Sequence, residues 1–587
     1  MTTFLRRMTF AALMLPLGAG AARADAVVTA CASDIQAGAG VNLAQALAAG
    51  GVIRFACPPG TSIRVTGRYT LAGSARIDGG DSVTLDGHGT AGPLLRATQN
   101  TILLRITLRG FAQPRRRPVQ PGAVGLGRLT GSVLATSGDA ELDRVTIEGS
   151  DGPIDIRGRA TVKDSAFVGN PGGYALVVGG AAFIERTRFT GNGSALLMGS
   201  GSVRRCDFTG QTAGAVRVGA ASGPTEIRHS TFATTRGGPA LALSQRAGRA
   251  GPQTVTLRGN IFRDNGSGAI NLFDLAQEAR ERGQSAAVVN ALASLPPSAF
   301  VFGYNRFESN GSARGGAIAA NLAHTGGMIS TGDLFIGNAA GGAGGAVAVS
   351  GGMLRLSHAL FKGNRAGGRG AALAVAPDAR ATLSNALIVS NAGPAGAIAG
   401  GGVTLVNVTI ADNAAAGLLL EDPSARVANA ILAHNAPADC VRVPAGVFQS
   451  SNLASDATCP EVAAGEAFLD AFYVPVAGSP ALHAGDPAIC KGAPVDGFDL
   501  AFQGRLDPAA CALGAFEQRP VRKLSRRTDR HEAHATEQDD FSDEEGYRPP
   551  PGAQVSGPDG GLGSIEPSTP TDSSPLPASS STPGDLP

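Results

Sequence analysis

An apolar residue, usually Phe, followed three positions later by Asn recurs through the chain. It reads SAFVGN (Phe167, Asn170), TRFTGN (Phe189, Asn192), NIFRDN (Phe262, Asn265) and NRFESN (Phe307, Asn310). It continues as DLFIGN (Phe335, Asn338), ALFKGN (Phe361, Asn364), ALIVSN (Ile388, Asn391), VTIADN (Ile410, Asn413) and AILAHN (Leu432, Asn435). Weaker copies are Ile147/Ser150, Phe208/Gln211 and Phe232/Thr235. The spacing, mostly 19–30 residues, is that of coiled β-solenoids. Each copy reads as one coil of a right-handed parallel β-helix, its three short strands stacking on the next coil at about 4.8 Å. The Phe column points inward. The Asn column is expected at a turn, in left-handed backbone, with its amides bonding from coil to coil. A second Asn column, Asn385, Asn407 and Asn429, precedes the apolar one by three residues. The predicted class is therefore all-β, a single capped solenoid.

Composition agrees. The 587 residues include 83 Gly and 36 Pro, with only 16% charged and 43% hydrophobic. That mixture suits short strands joined by many turns, and no G-X-Y period marks collagen. Exposed helical bundles need more Glu, Lys and Arg. A net charge of +2 supplies no global field for nucleic acid, so no nucleic-acid partner is expected.

Residues 1–24 read as a secretory signal peptide: Arg6 and Arg7, an apolar run from Ala11 to Ala22, then Ala22-Arg23-Ala24. No later segment is long and apolar enough for a helical membrane span. A secreted, periplasmic or extracellular monomer is expected. In such a compartment cysteines form disulfides. Adjacent pairing (Cys31 with Cys57, Cys440 with Cys459, Cys490 with Cys511) is expected because each pair brackets a short segment outside the repeats. Sequence alone leaves other connectivities open. Cys206 lies inside a repeat and reads as a buried small hydrophobe.

FxxN alternating with GGA[ILV], as in Gly315-Gly316-Ala317-Ile318 and Gly344-Gly345-Ala346-Val347, resembles the repeats of polymorphic outer-membrane proteins in the pectin-lyase-like superfamily. Ser479 to Gln518, with Cys511-Ala-Leu-Gly-Ala-Phe-Glu517, resembles the closing segment of secreted choice-of-anchor β-helix proteins. Cys31 to Cys57 resembles their N-terminal cap. The resemblance spans roughly residues 30–518 and implies a fold rather than an activity. The expected organisation is a cap at 25–64, a β-helix at 65–436 with a helical insertion near 273–297, a disulfide-rich cap at 437–518 covering the other end, and a disordered Pro/Ser-rich tail at 519–587.

Candidate chemistry is sparse. Lyases of related fold need carboxylates for Ca²⁺ and an Arg or Lys base; hydrolases need closely spaced carboxylates. Asp78, Asp86 and His88 in DGGDSVTLDGHG are the catalytic candidates, although Asp and Gly there also suit turns. Three residues before the core position stand Arg144, Asp164, Arg186, Arg205 and His229. This column reads either as an exposed basic stripe for a glycan or as a stabilising Arg–Asp–Arg ladder. No metal site or cofactor motif appears; His531-Glu532-Ala533-His534 lacks zinc-protease spacing. With no Trp, five Tyr and the Phe residues assigned to the core, a sugar-stacking platform is disfavoured. Two functional readings follow. The favoured one is a non-enzymatic, adhesin-like or glycan-binding scaffold whose partner is a polysaccharide or a cell-surface protein. The alternative is a polysaccharide lyase, with Ca²⁺, or a glycoside hydrolase acting on acidic polysaccharide.

Overall fold

Consecutive copies of the repeat stack in parallel register, forming a parallel β-helix with three faces. The first face includes Ala160–Lys163, Ala181–Glu185, Ser200–Arg204, Thr225–Arg228 and Gln253–Arg258. The second includes Ala166–Val168, Arg188–Thr190, Asp207–Thr209 and Thr231–Ala233. The third includes Ile154–Ile156, Tyr174–Val178, Ser194–Met198 and Gly214–Val218. These elements come from a computed structural model describing residues 25–112, 133–505 and 511–518, apart from 39, 72, 91 and 222. The expected signal peptide (1–24), Arg115–Arg117 and the expected disordered tail (519–587) lie outside the described residues. No helix among the described residues is long and apolar enough to cross a membrane.

Two columns hold the coils together. Phe167, Phe189, Phe208, Phe232, Phe262, Phe307, Phe335 and Phe361 stack face to face, with ring centroids 4.7–5.0 Å apart and planes within 5–11°. All are buried, each contributing about 1.5–3 kcal/mol by removal from water. Phe262 and Phe307 pair directly, so the long interval between them is one coil carrying an insertion. That insertion holds α2 (Leu275–Glu281) and α3 (Ala286–Ala293).

The Asn column is an internal ladder. From Asn310 through Asn435, each side-chain amide donates to the next rung at 2.7–3.0 Å and also to a buried backbone carbonyl; Asp439 closes the ladder. Its expected left-handed backbone is corrected. The residue before each Asn carries the positive φ: Gly337 at 63°, Gly363 at 68°, Ser390 at 57°, Asp412 at 51°. The Asn must turn inward to reach its neighbour, so the bend falls one position earlier.

A second left-handed corner runs three residues before the core column. Arg144, Asp164, Arg186, Arg205 and His229 occupy it at φ 46–53°, and Asn385, Asn407 and Asn429 continue it at 48–53°. The basic column and the second Asn column are therefore one column. A left-handed conformation costs a residue with Cβ about 1–2 kcal/mol, which is accepted here because register fixes both flanking strands.

The end segments differ from expectation in extent. Coil stacking begins before residue 65: Gly51–Phe55 pairs with Ala75–Asp78, and Thr61–Arg64 with Val83–Asp86. Helix α1 (Leu43–Ala49) is capped by Asn42 and Gln45 and buries Leu43, Ala46 and Leu47. Stacking also continues past residue 436, through Cys440–Val441 and Asn452–Ala454. Residues 485–505 and 511–517 do not simply cover the end. They fold back along the corner column, where Asn407 and Asn429 donate to backbone carbonyls of Ala512 and Asp486, and buried Arg505 donates to Asn385 Oδ1 at 3.0 Å. Phe502 stacks on His358 at 4.0 Å. Asn corners offer amide donors to this strap; the charged corners upstream stay exposed to water. The strap includes α4 (Pro487–Lys491). The three bridges are Cys31–Cys57, Cys440–Cys459 and Cys490–Cys511, consistent with an oxidising environment, and Cys206 is buried and free.

Candidate functional site

Asp78, Asp86 and His88 do not converge. Asp78 ends a first-face strand and Asp86 a second-face strand, and no hydrogen bond joins them among the described residues. Arg105 grips Asp78 through two bonds of 2.9 and 2.5 Å. Arg109 grips Asp86 at 2.6 Å. Each carboxylate also accepts a turn N–H, from Gly80 or His88. Burial pushes both carboxyls up, but the guanidinium and N–H donors outweigh it and hold them below the usual carboxylate range. A general acid needs the opposite shift. His88 is an exposed left-handed turn residue at φ 47°.

The corner column is mixed. Arg186 pairs bidentately with Asp164 at 2.7 and 2.9 Å, and Arg144 reaches Asp81 at 3.5 Å. The Arg186 bonds hold the Asp164 carboxyl low. Those exposed pairs fit the ladder alternative and contribute little each. Arg205 makes no ion pair among the described residues. His229 lies over Gly259, where a Cβ would sit 2.8 Å from its Nδ1. Burial, followed by Arg205, Arg228, Arg258 and Arg204, lowers its pKa.

Beside this corner, the first face opens a cleft of about 350 Å³ lined by Arg159, Thr161, Lys163, Phe183, Ser202 and Arg204, with Ile184 and Glu185. Its centre is Phe183, 39% exposed, with the Arg159 guanidinium 5.2 Å from the ring centroid. Thr161, Phe183 and Ser202 lie in direct cross-strand register. Arg159 and Lys163 form no ion pair among the described residues. The size falls in the range of small-ligand sites. An apolar ring beside cations and short hydroxyls can stack on a sugar face while charges meet an anionic substituent.

Phe183 corrects the assignment of phenylalanines to the core. Its signal was present in AAFIE: Ala182 and Ile184 face inward, so strand alternation points Phe183 outward. A further unanticipated cluster lies near the last coils. His434 Nε2 meets Glu466 at 3.0 Å, and the Tyr473 hydroxyl donates to Asp412 at 3.0 Å, fastening the 466–476 segment to the coils.

No protein-family model matches the chain, and no curated protein matches it. Among solved structures, it is similar to the tailspike protein of E. coli bacteriophage HK620 in complex with pentasaccharide: 14% identity, TM-score 0.34, covering 70% of this chain and 73% of that one. It is also similar to bacteriophage CBA120 tailspike protein 3: 12% identity, TM-score 0.28, covering 72% of this chain and 58% of that one.

Proposed function

We propose that the chain is a β-helical surface scaffold that binds an acidic saccharide in the Phe183 cleft. The observation that carries this reading is an exposed aromatic ring set between Arg159 and Lys163 above Thr161 and Ser202. Arg159 and Lys163 can meet an anion: neither is in an ion pair among the described residues, and Glu185, opposite Lys163, and Asp164, beside it, are both paired with Arg186. The solenoid contributes rigidity: the three strands under the cleft are fixed by register, so little ordering entropy is lost on binding.

Catalysis on acidic polysaccharide, by a lyase or hydrolase of the pectin-lyase-like superfamily, is the alternative. Its sequence candidates, Asp78 and Asp86, are each committed to an arginine, which favours binding over turnover.

Titration calorimetry of the full chain with oligogalacturonate tests the reading, with Phe183→Ser as the comparison. Binding that falls at least tenfold in Phe183→Ser supports it. Equal affinity in both proteins overturns it. Release of unsaturated product absorbing in the ultraviolet would replace it with the lyase alternative.

A further inference from the structure

Next to the cleft, three arginines occupy directly opposed positions on successive first-face strands. Arg204 pairs in register with Arg228, and Arg228 with Arg258. Coils repeat here at 4.7–4.9 Å, measured on the Phe189, Phe208, Phe232 and Phe262 rings. Like charges directly opposite one another destabilise a sheet. Arg204 and Arg228 share one carboxylate, Glu226, which Arg204 meets at 2.7 Å. The Arg228 Nε is buried without a hydrogen-bond partner among the described residues. The Arg258 guanidinium lies over the Tyr304 ring at 5.3 Å. One residue further along, at the left-handed corner, Arg205 extends the positive surface.

Coil stacking itself does not require arginine at this position. The equivalent position one coil before Arg204 is Glu185, and one coil after Arg258 is Gly303. Strand stacking therefore proceeds without arginine, and the cluster is confined to three successive coils, the first of which lines the cleft. A local departure from stabilising chemistry beside a cleft marks a ligand site.

We infer that Arg204, Arg228 and Arg258, with Arg205 at the corner, form an axial anion ladder that reads a polyanionic glycan, one anionic group per coil. This rests on the proposed saccharide cleft and deepens it. The chain enters at Phe183 and runs along the solenoid axis, so that successive sulfate or carboxylate groups meet successive guanidinium forks. Arginine suits both groups because its planar fork bonds two oxygens at once. A pyranose chain advances by about one coil per sugar, which keeps the two repeats in step. A nucleic acid would also satisfy the charges, but the disulfide-bonded fold fits an oxidising compartment and the cleft holds one exposed ring rather than a series of stacking platforms.

The test compares the full chain with an Arg204→Gln/Arg228→Gln/Arg258→Gln variant. Probes are oligogalacturonate, a heparin oligosaccharide, a neutral dextran oligosaccharide and a single-stranded oligonucleotide of matched charge. Affinities are measured across a salt series, and melting is recorded alongside. Expected is binding of one or both anionic glycans in the parent and at least a hundredfold loss in the variant. The salt slope should fall by about one per arginine removed. The variant should melt close to the parent, because relief of like-charge repulsion offsets the loss of the surface ion pairs to Glu226; a merely structural ladder would lower melting markedly and leave affinity unchanged. Which anionic glycan binds more tightly tells sulfate from carboxylate. Unchanged glycan affinity in the variant, with binding still lost in Phe183→Ser, overturns the ladder and leaves the cleft intact. No glycan binding by the parent overturns both. Tighter binding of the oligonucleotide than of either anionic glycan overturns the glycan assignment.

Discussion

Replacing Asn338 by Ala perturbs one rung of the buried ladder. Asn338 Oδ1 accepts from the Asn310 backbone N–H at 3.1 Å and from its Nδ2 at 2.9 Å. Its own Nδ2 donates to the Phe307 carbonyl and to Asn364 Oδ1, both at 3.0 Å. Alanine strands the Asn310 N–H in a dry interior, at about 1–3 kcal/mol, and removes three further bonds at about 0.5–1.5 kcal/mol each. The expected destabilisation is about 3–6 kcal/mol. Asn338→Gln is the control, because Gln211 already serves as a natural rung: its Oε1 accepts from the Asn192 N–H at 3.0 Å and its Nε2 donates to the Phe189 carbonyl at 2.8 Å. Glutamine should cost less than half as much as alanine. A solenoid can unfold in parts, so the assay is native-state hydrogen exchange at Asn310 and its neighbours, alongside denaturant unfolding. A cost below about 1 kcal/mol for Ala, with the Asn310 amide still protected, would refute the ladder as a source of stability.

Phe361→Ala should cost about 3–5 kcal/mol by opening a cavity at the end of the ring stack; equilibrium unfolding checks it, and a loss below about 1 kcal/mol would contradict the packing. Asp333 is fully buried and accepts from Asn305 and Ser330, and burial raises its carboxyl to about 7. The folded state therefore holds a proton that the unfolded state has released, and this group's stabilisation is complete below about pH 4 and lost as pH rises through 7. Asp333→Asn should remove up to about 4 kcal/mol of that decline; a stability–pH profile parallel to the parent's would refute it. His358, under Phe502, has its pKa lowered to about 4 by burial and by Arg505. Its contribution is present above about pH 6.5 and lost as pH falls through 4. Hydrogen exchange in residues 485–505 should accelerate over that window, and His358→Phe should move the onset to lower pH.

Periodic features were legible because stacking repeats them. Phe335 and Asn338 recur at coil spacing and announce the core and its ladder. Adjacent cysteine pairing was legible for the same reason, since each pair flanks the periodic region. Which residue bends was not: spacing alone cannot tell Asn338 from Gly337, and the choice follows from the inward turn of the amide. The strap was hidden because no period links Arg505 to Asn385. Phe183 resembles the core phenylalanines in type, and only its place between the inward-facing Ala182 and Ile184 fixes its outward direction. The arginine register was also concealed. Arg204, Arg228 and Arg258 are separated by 24 and 30 residues, and only the unequal loops bring them opposite. Asp78, Asp86 and His88 show the converse, close in sequence but divided between two faces.

The most direct test of the central claim is a hydrogen-exchange footprint of the full chain with and without a saturating acidic oligosaccharide. The account predicts new protection in Ala160–Lys163, Ala181–Glu185, Ser200–Arg204 and Thr225–Arg228, the strands beneath the cleft and its arginines. Protection confined to the third face, over Tyr174–Val178 and Ser194–Met198, or to the Asp78–Asp86 turns, would contradict it.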